Sequence, residues 1–319
     1  MAVKYLCPSC RTPLELRADR LACAACGTDQ ATLIDGMIEF NGCTDKESFF
    51  EKQAIERLDA FYADYDAGKF QEVLARRSLW QMDWANKRVG ITTKFWWEPH
   101  IGRITGKRVM EIGCGVNYIV PSFLLNDNSV FAFDICKGSV DFLRKILSRI
   151  GAPTAKLEMA VADATKLEMG ETFDIIDINN VLHHIDDKPA VFERAHRHLK
   201  DDGKLIIVEP NYYYPPRWMI ETDSLDPANF VKDYFVKNDL IEKGEKAIVF
   251  PRMRKQLLDA GFKIDKTFKD PNYLGYFTVY WIKENSGLLR AIFELDKHLF
   301  SRILPAAVAP FQYIIASKA

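Results

Sequence analysis

The chain has 319 residues, with 43 basic against 44 acidic side chains, a net charge of −1 and 48% hydrophobic content. This composition excludes a disordered chain, and the near-zero charge argues against a broad single-sign surface for nucleic acid. No run reaches the ~18–20 consecutive apolar residues of a membrane span, because the richest late stretch, Ile303 to Ala316, is broken by Pro305, Pro310 and Gln312. The first seven residues hold no apolar signal region, so a cytoplasmic protein is expected, in which cysteines are metal ligands or free thiols more often than disulfides.

Four of the seven cysteines lie in the first 26 residues, as Cys7-Pro8-Ser9-Cys10, twelve intervening residues, then Cys23-Ala24-Ala25-Cys26-Gly27. Two such turns let four thiolates converge on one ion, a closed tetrahedral arrangement that suits Zn2+ in a structural role. Pro13 to Arg17 and Arg20 to Ala22 alternate apolar with polar residues, as two short strands joined at Ala18-Asp19 would. A redox pair would need a helix N-terminus beside a βαβ pattern, which this segment lacks, whereas an iron site has similar spacing and stays open. Residues 5–40 resemble the small zinc-ribbon family that includes the activator subunit of tRNA and translation-factor methyltransferases. The likeness rests on both knuckles and on Ile34-Asp35-Gly36-Met37, and it departs at Glu39, where that family often has proline. A zinc ribbon is expected over residues 1–42.

Residues 43–100 read as a helical linker or lid. Phe49, Phe50, Ile55, Leu58, Phe61 and Tyr62 recur at helical spacing, and a second helix runs from about Lys69 to Trp97, before Pro99. Its tryptophans, Trp80, Trp84, Trp96 and Trp97, are read either as core packing or as a cover over a pocket, with Trp97 the candidate for substrate contact.

Arg108 to Ile112 is a buried-type strand opening into Gly113-Cys114-Gly115-Val116-Asn117. Dinucleotide folds and nucleoside-binding methyltransferases share such a beginning. Glu111, two residues before the first glycine, would repel a pyrophosphate and attract the α-ammonium of a methionine moiety, which favours S-adenosylmethionine. Asp134, 21 residues after Gly113, ends a second strand where ribose hydroxyls are bound, with Ile135 following. Asp163 and Ala164 end a third strand, Phe173 to Asn180 forms a fourth and Gly203 to Pro210 a fifth.

From about 105 to 210 the chain resembles the class I S-adenosylmethionine-dependent methyltransferases, in the group with a Leu-His-His-Ile type motif after strand four. The resemblance implies a Rossmann-like α/β domain over 101–319, with a seven-stranded sheet whose last strand, near Phe311 to Ala316, is antiparallel. It implies that Glu111, Gly113 and Gly115 line the methionine end, Asp134 the ribose, Asp163 and Ala164 the adenine, and Asn180 the cofactor edge. Asn117 stands where the family has a third glycine, and asparagine tolerates positive φ better than most residues.

His183 and His184 follow strand four, at the strand ends where ligands bind, and His184 is the candidate general base, the alternative being a packed or backbone-bonded ring. No Asn/Asp-Pro-Pro-Tyr motif for exocyclic amines follows that strand, so O- or C-methylation of a small-molecule, lipid-like or sugar acceptor is expected. Inserted segments at 211–250, with Tyr212, Tyr213 and Tyr214, and at 271–308, with an amphipathic helix from about Ser286 to Leu304, are expected to wall the substrate cleft or form a homodimer surface. The alternative is an RNA methyltransferase gripping its substrate with the ribbon. Residues 1–42 weigh against it, with four basic side chains against five acidic ones, a net charge of −1.

Overall fold

The computed structural model describes residues 5–41, 58–59, 62–63, 65–68, 101–115, 119–211, 214, 248–269, 273–274 and 287–319. Most of the expected linker over 43–100 and of the insertions lies outside these residues, as do Trp97, Asn117, Tyr212 and Tyr213.

The central strands are β6 (Arg108–Ile112), β7 (Ser129–Asp134), β8 (Leu157–Val161), β10 (Phe173–Asn179) and β11 (Leu199–Pro210). They are rich in branched and aromatic residues and run parallel, which requires cover on both faces. Helix α1 (Ile119–Leu125) and helix α2 (Lys137–Arg149) cover one face and share a core with Val109, Val130, Ile175 and Ile206. On the other face, α3 (Lys188–His198) and α4 (Phe250–Asp259) bury Val191, Phe192, Met253 and Leu257 against Ile112, Ile176 and Ile207. Asp187 caps α3 by accepting from the Ala190 N–H at 3.1 Å, and His196, Arg197 and His198 face the negative end of its dipole. The last strands, β12 (Phe262–Lys269) and β13 (Phe311–Lys318), complete this side, with β13 antiparallel between β11 and β12.

Among the described residues the sheet has eleven strands where seven are expected, in the order β12-β13-β11-β10-β6-β7-β8-β5-β4-β3-β2. The extra four are β2 (Glu15–Arg17), β3 (Arg20–Cys23), β4 (Thr28–Ile34) and β5 (Met37–Phe40), all from the cysteine-bearing segment. β5 runs parallel to β8, with Ile38 opposite Ala160 and Glu39 opposite Val161, so this segment prolongs the main sheet. The departure from proline at position 39 has a physical reason here. β5 is hydrogen-bonded on both sides, a place where proline would remove a ladder donor, and the Glu39 carboxylate pairs with Lys137 at the start of α2.

A second seam lies below the first. β1 (Tyr5–Leu6) pairs antiparallel with β9 (Glu168–Met169), and Tyr5 stacks edge-on against Phe40 and Phe131. The buried Glu168 is ringed by Arg197 at 2.5 Å, Arg194 at 3.6 Å and Arg11 at 3.8 Å. Arg11 comes from the first knuckle, so the ion cluster ties that knuckle to α3.

The amphipathic segment near the C-terminus is helical from Gly287 to Leu295 (α5), then widens to a π-turn over Asp296–Phe300. Asp296 is fully buried there, both its carboxylate oxygens accepting from the Leu274 N–H at 3.0 and 2.9 Å. Leu288, Leu295, Leu299 and Ile303 are exposed. Among the described residues, no helix is long and apolar enough to cross a membrane.

Candidate functional site

The glycine loop begins where β6 ends. The N–H groups of Gly113 and Cys114 both donate to the Phe133 carbonyl at 2.9 Å, which turns the chain back over β7. Gly113 has φ +70°, and a Cβ there would stand 2.4 Å from the Val181 Cγ2. Only glycine lets the loop after β6 pass this closely over the loop after β10. Cys114 is completely buried, and burial first, then the charges of Asp134 and Glu111, raise its thiol pKa well above the ordinary value. A neutral buried thiol fills space in this loop and is no nucleophile.

Asp134 organises the next layer. Its Oδ2 accepts from the Gly115 N–H at 2.9 Å, and its Oδ1 accepts from the Cys136 N–H at 2.9 Å. Burial raises its pKa, and the backbone donors Cys136, Gly115 and Ile135 oppose that rise. A carboxylate has roughly four lone-pair sites, so these three donors leave one for a ligand's hydroxyl. Ile135 is half-buried and packs against the core under α1 and α2.

Asp163 is partly the strand-end cap that an isolated aspartate would be. Its Oδ1 accepts from the Thr165 N–H at 2.9 Å and hydroxyl at 2.7 Å, while Oδ2 lies 3.2 Å from Lys166. Burial would raise its pKa, but these partners outweigh it and hold the carboxyl below the usual range. Ala164 beside it is half-buried.

After β10, Asn180 takes φ +57°, donates its N–H to the Val208 carbonyl at 2.9 Å and remains exposed. The turn beyond it is held by Glu209, which sequence reasoning missed. Glu209 is fully buried at the end of β11, and its Oε1 accepts from the N–H groups of Val181 (2.8 Å) and Leu182 (2.6 Å). Its Oε2 lies 2.8 Å from His183 Nδ1. His183 is thus tied into the turn, and the half-buried His184 ring packs against it at 3.9 Å between centroids. The available signal was a carboxylate ending an otherwise apolar strand, the same sign that drew attention to Glu111 and Asp134.

Glu111 is fully buried beneath the loop. It faces Asp177 across the β6–β10 ladder, also fully buried, and burial pushes Asp177 up to about 7 against the opposing bond from Glu111. Tyr214, expected in a substrate wall, is 2% exposed and donates its hydroxyl to the Tyr273 carbonyl. An aromatic in an insertion reads the same in sequence whether it packs inward or faces a cleft.

At the other end of the sheet, the Sγ atoms of Cys7, Cys10, Cys23 and Cys26 all lie within 4.8 Å of one another. The Cys7–Cys26 distance is 3.8 Å, and Cys10 lies 3.4 Å from both Cys23 and Cys26. A tetrahedral ion with metal–sulfur bonds of ~2.3 Å sets sulfurs about 3.8 Å apart, so the four side chains fit zinc. Arg11 (φ +60°) and Gly27 (φ +68°) follow the second cysteine of each knuckle and fold the backbone around the sulfurs.

Comparison with known proteins agrees with this geometry. Residues 110–207 match a family model described as a methyltransferase domain. The chain is 33% identical over 132 residues to phosphoethanolamine N-methyltransferase 3 of Arabidopsis thaliana, which is 40% of this chain and 24% of that protein. It is 26% identical over 110 residues to the ubiquinone biosynthesis O-methyltransferase of Azotobacter vinelandii, 34% of this chain and 47% of that protein. Among solved structures it is similar to phosphoethanolamine N-methyltransferase 2 of Haemonchus contortus, at 16% identity and a TM-score of 0.48, over 69% of this chain and 51% of that one. The chain therefore spans between a quarter and a half of the length of these curated relatives. Residues 110–207 thus match a methyltransferase domain, with the rest of the chain lying outside the match.

Proposed function

We propose that this protein transfers a methyl group from S-adenosylmethionine to a small-molecule acceptor, a lipid-like or sugar oxygen or carbon being favoured, and that Cys7, Cys10, Cys23 and Cys26 hold a structural Zn2+. The observation that carries the reading is Asp134, whose two oxygens fasten the glycine loop to the start of α2 and which keeps an acceptor site for a ribose hydroxyl. When bound, the cofactor supplies a methyl carbon activated by its sulfonium. The protein's own tasks are then alignment, exclusion of water and removal of a proton. Asp134 accepts a ribose hydroxyl, Asp163 and Ala164 border the adenine, and the exposed Asn180 lies at the cofactor edge. His184 takes the acceptor's proton, its ring seated on His183, which Glu209 holds in turn.

RNA is the weaker reading. Among the described residues, the arginines of the ribbon are matched by acids, with Arg17 on Glu15, Arg20 on Asp29 and Arg11 on Glu168. A phosphate grip needs such side chains uncommitted.

Calorimetric titration with S-adenosylhomocysteine tests the core of the proposal, and no detectable binding would end it. Asp134→Ala is expected to weaken that binding at least ~100-fold, since it removes a ribose bond and the loop tethers, charged hydrogen bonds being worth ~1.5–3 kcal/mol each. His184→Ala is expected to leave the affinity within about threefold and to lower methyl transfer ~100-fold or more, in the range of a lost general base. Transfer assays against separated small-molecule and RNA fractions of a cell extract decide between the acceptors.

A further inference from the structure

The four thiols of the ribbon are not equivalent. Cys7 and Cys23 are 0% and 1% exposed, and the sheet anchors both, since Cys7 directly follows β1 and Cys23 ends β3 opposite Thr28 of β4. Cys10 and Cys26 are exposed and sit in the turns that close the two knuckles. The buried Cys23 sulfur also accepts from the Cys26 N–H at 3.3 Å, whereas the Cys10 sulfur has the Thr12 hydroxyl at 3.4 Å. Cys10 Sγ stands 3.4 Å from Cys26 Sγ, with Cys23 Sγ at the same distance on its inner side. A sulfur–sulfur bond is ~2.05 Å long, so the two outer thiols need to close by only about 1.4 Å. Elsewhere, Cys114 and Cys136 are 0% and 1% exposed, which shields them from a dissolved oxidant.

A thiolate that solvent reaches is a nucleophile towards peroxide, and a sulfenic acid beside a second thiol condenses to a disulfide. We propose that Cys10 and Cys26 form a peroxide-sensitive site, whose oxidation to a disulfide opens the metal site and lowers affinity for the cofactor. The inference rests on the Zn2+ and S-adenosylmethionine readings above. The Cys10 thiolate attacks one oxygen of hydrogen peroxide: an S–O bond forms, the O–O bond breaks, and the departing hydroxide takes a proton from solvent. The Cys26 thiolate then attacks the sulfenic sulfur, forming the S–S bond and expelling a second hydroxide, which is protonated in the same way. Two cysteines are oxidised and the peroxide is reduced to two waters. Cys7 and Cys23 remain as thiolates, too few for a closed tetrahedral site. A dithiol reverses the oxidation by exchange.

Two contacts carry the change to the methyltransferase domain. Arg11, next to Cys10, lies 3.8 Å from the buried Glu168, so drawing Cys10 towards Cys26 pulls on that tie. The ribbon also enters the main sheet through β5, where Ile38 and Glu39 lie opposite Ala160 and Val161, just before the adenine-side Asp163.

The test treats the zinc-loaded full-length protein, its metal first quantified by elemental analysis, with a few equivalents of hydrogen peroxide. A chromogenic chelator should report about one Zn2+ released per chain, the content of a single closed site. The denatured mass should fall by about 2 Da against the reduced chain, for the two hydrogens a disulfide lacks. Fragment-ion mapping should join Cys10 to Cys26, and Cys43→Ser should behave as the wild type. Affinity for S-adenosylhomocysteine should fall about tenfold, a usual size for coupling between separate sites. Dithiothreitol with Zn2+ should restore both metal and affinity. Zinc retained under peroxide overturns the site, as does a link mapped to Cys23 or Cys43. A Cys10–Cys26 disulfide that leaves the affinity unchanged overturns the coupling. Protein that neither contains nor takes up zinc before oxidation instead overturns the metal reading. Absence of S-adenosylhomocysteine binding by the untreated protein overturns the cofactor reading, so the failures stay distinct.

Discussion

Stripping the metal from the purified protein with a chelator is expected to unfold residues 5–41 and, with them, to loosen the adenine side of the cofactor site. The ribbon strands are two to seven residues long, and their only deeply buried apolar side chains are a few such as Leu21, Ala31 and Met37. So small a core cannot offset the ordering of the chain, whereas a structural zinc typically contributes about 10–16 kcal/mol to a domain of this kind. The loss would travel along a defined route. β5 pairs with β8 up to Val161, two residues before Asp163, and Glu39 anchors Lys137, next to the Cys136 whose N–H holds Asp134. Chelation should therefore lower the melting temperature by more than ~10 °C and weaken S-adenosylhomocysteine binding about tenfold or more. Both should recover on adding Zn2+, and Cys23→Ser should reproduce both losses without recovery. A melting temperature and an affinity unchanged by chelation, with metal removal verified by elemental analysis, would show that the four thiols hold no structural ion.

Gly113→Ala should be the most damaging single methyl addition in the methyltransferase domain. The new Cβ would lie 2.4 and 2.7 Å from the two γ-carbons of Val181, and the backbone at φ +70° is itself strained for alanine. The conformational part costs ~1–2 kcal/mol and the overpacking part ~1–3 kcal/mol. Moving Val181 would also disturb its N–H bond to Glu209, so the glycine loop and the His183 turn would shift together. Stability should fall by roughly 2–5 kcal/mol, the sum of those two parts, and cofactor binding should disappear from calorimetric range. Val181→Ala in the same chain removes the collision and leaves the strained φ, so the double variant should regain about half of the lost stability. If it regains none, the close approach between the two loops is not what position 113 requires.

Much of this was legible in the sequence because the signals were local. The cysteine spacing, the glycine loop and the acids at strand ends each sit within a few residues, and Asp134 and Gly113 take the positions that their spacing implied. Asp163 was harder, because a cap and a ligand contact are the same residue type at the same strand end, and its bonds to Thr165 depend on how the turn closes. Non-local pairing was not legible at all. Nothing in Met37 to Phe40 names β8 as its partner. The Glu111–Asp177 contact needed the register of two strands separated by 60 residues of chain, and Glu209 needed the fold of the turn it caps.

The joining of β5 to β8 also bears on how the molecule stays apart from its own copies. Without the ribbon, β8 would end the sheet and offer its unpaired backbone groups to any similar strand. With it, the last strand is β2, three exposed residues carrying Glu15 and Arg17 that leave little ladder to extend. Short, charged terminal strands of this kind discourage sheet-to-sheet association. The segment that carries the four cysteines thereby sets where the described sheet stops.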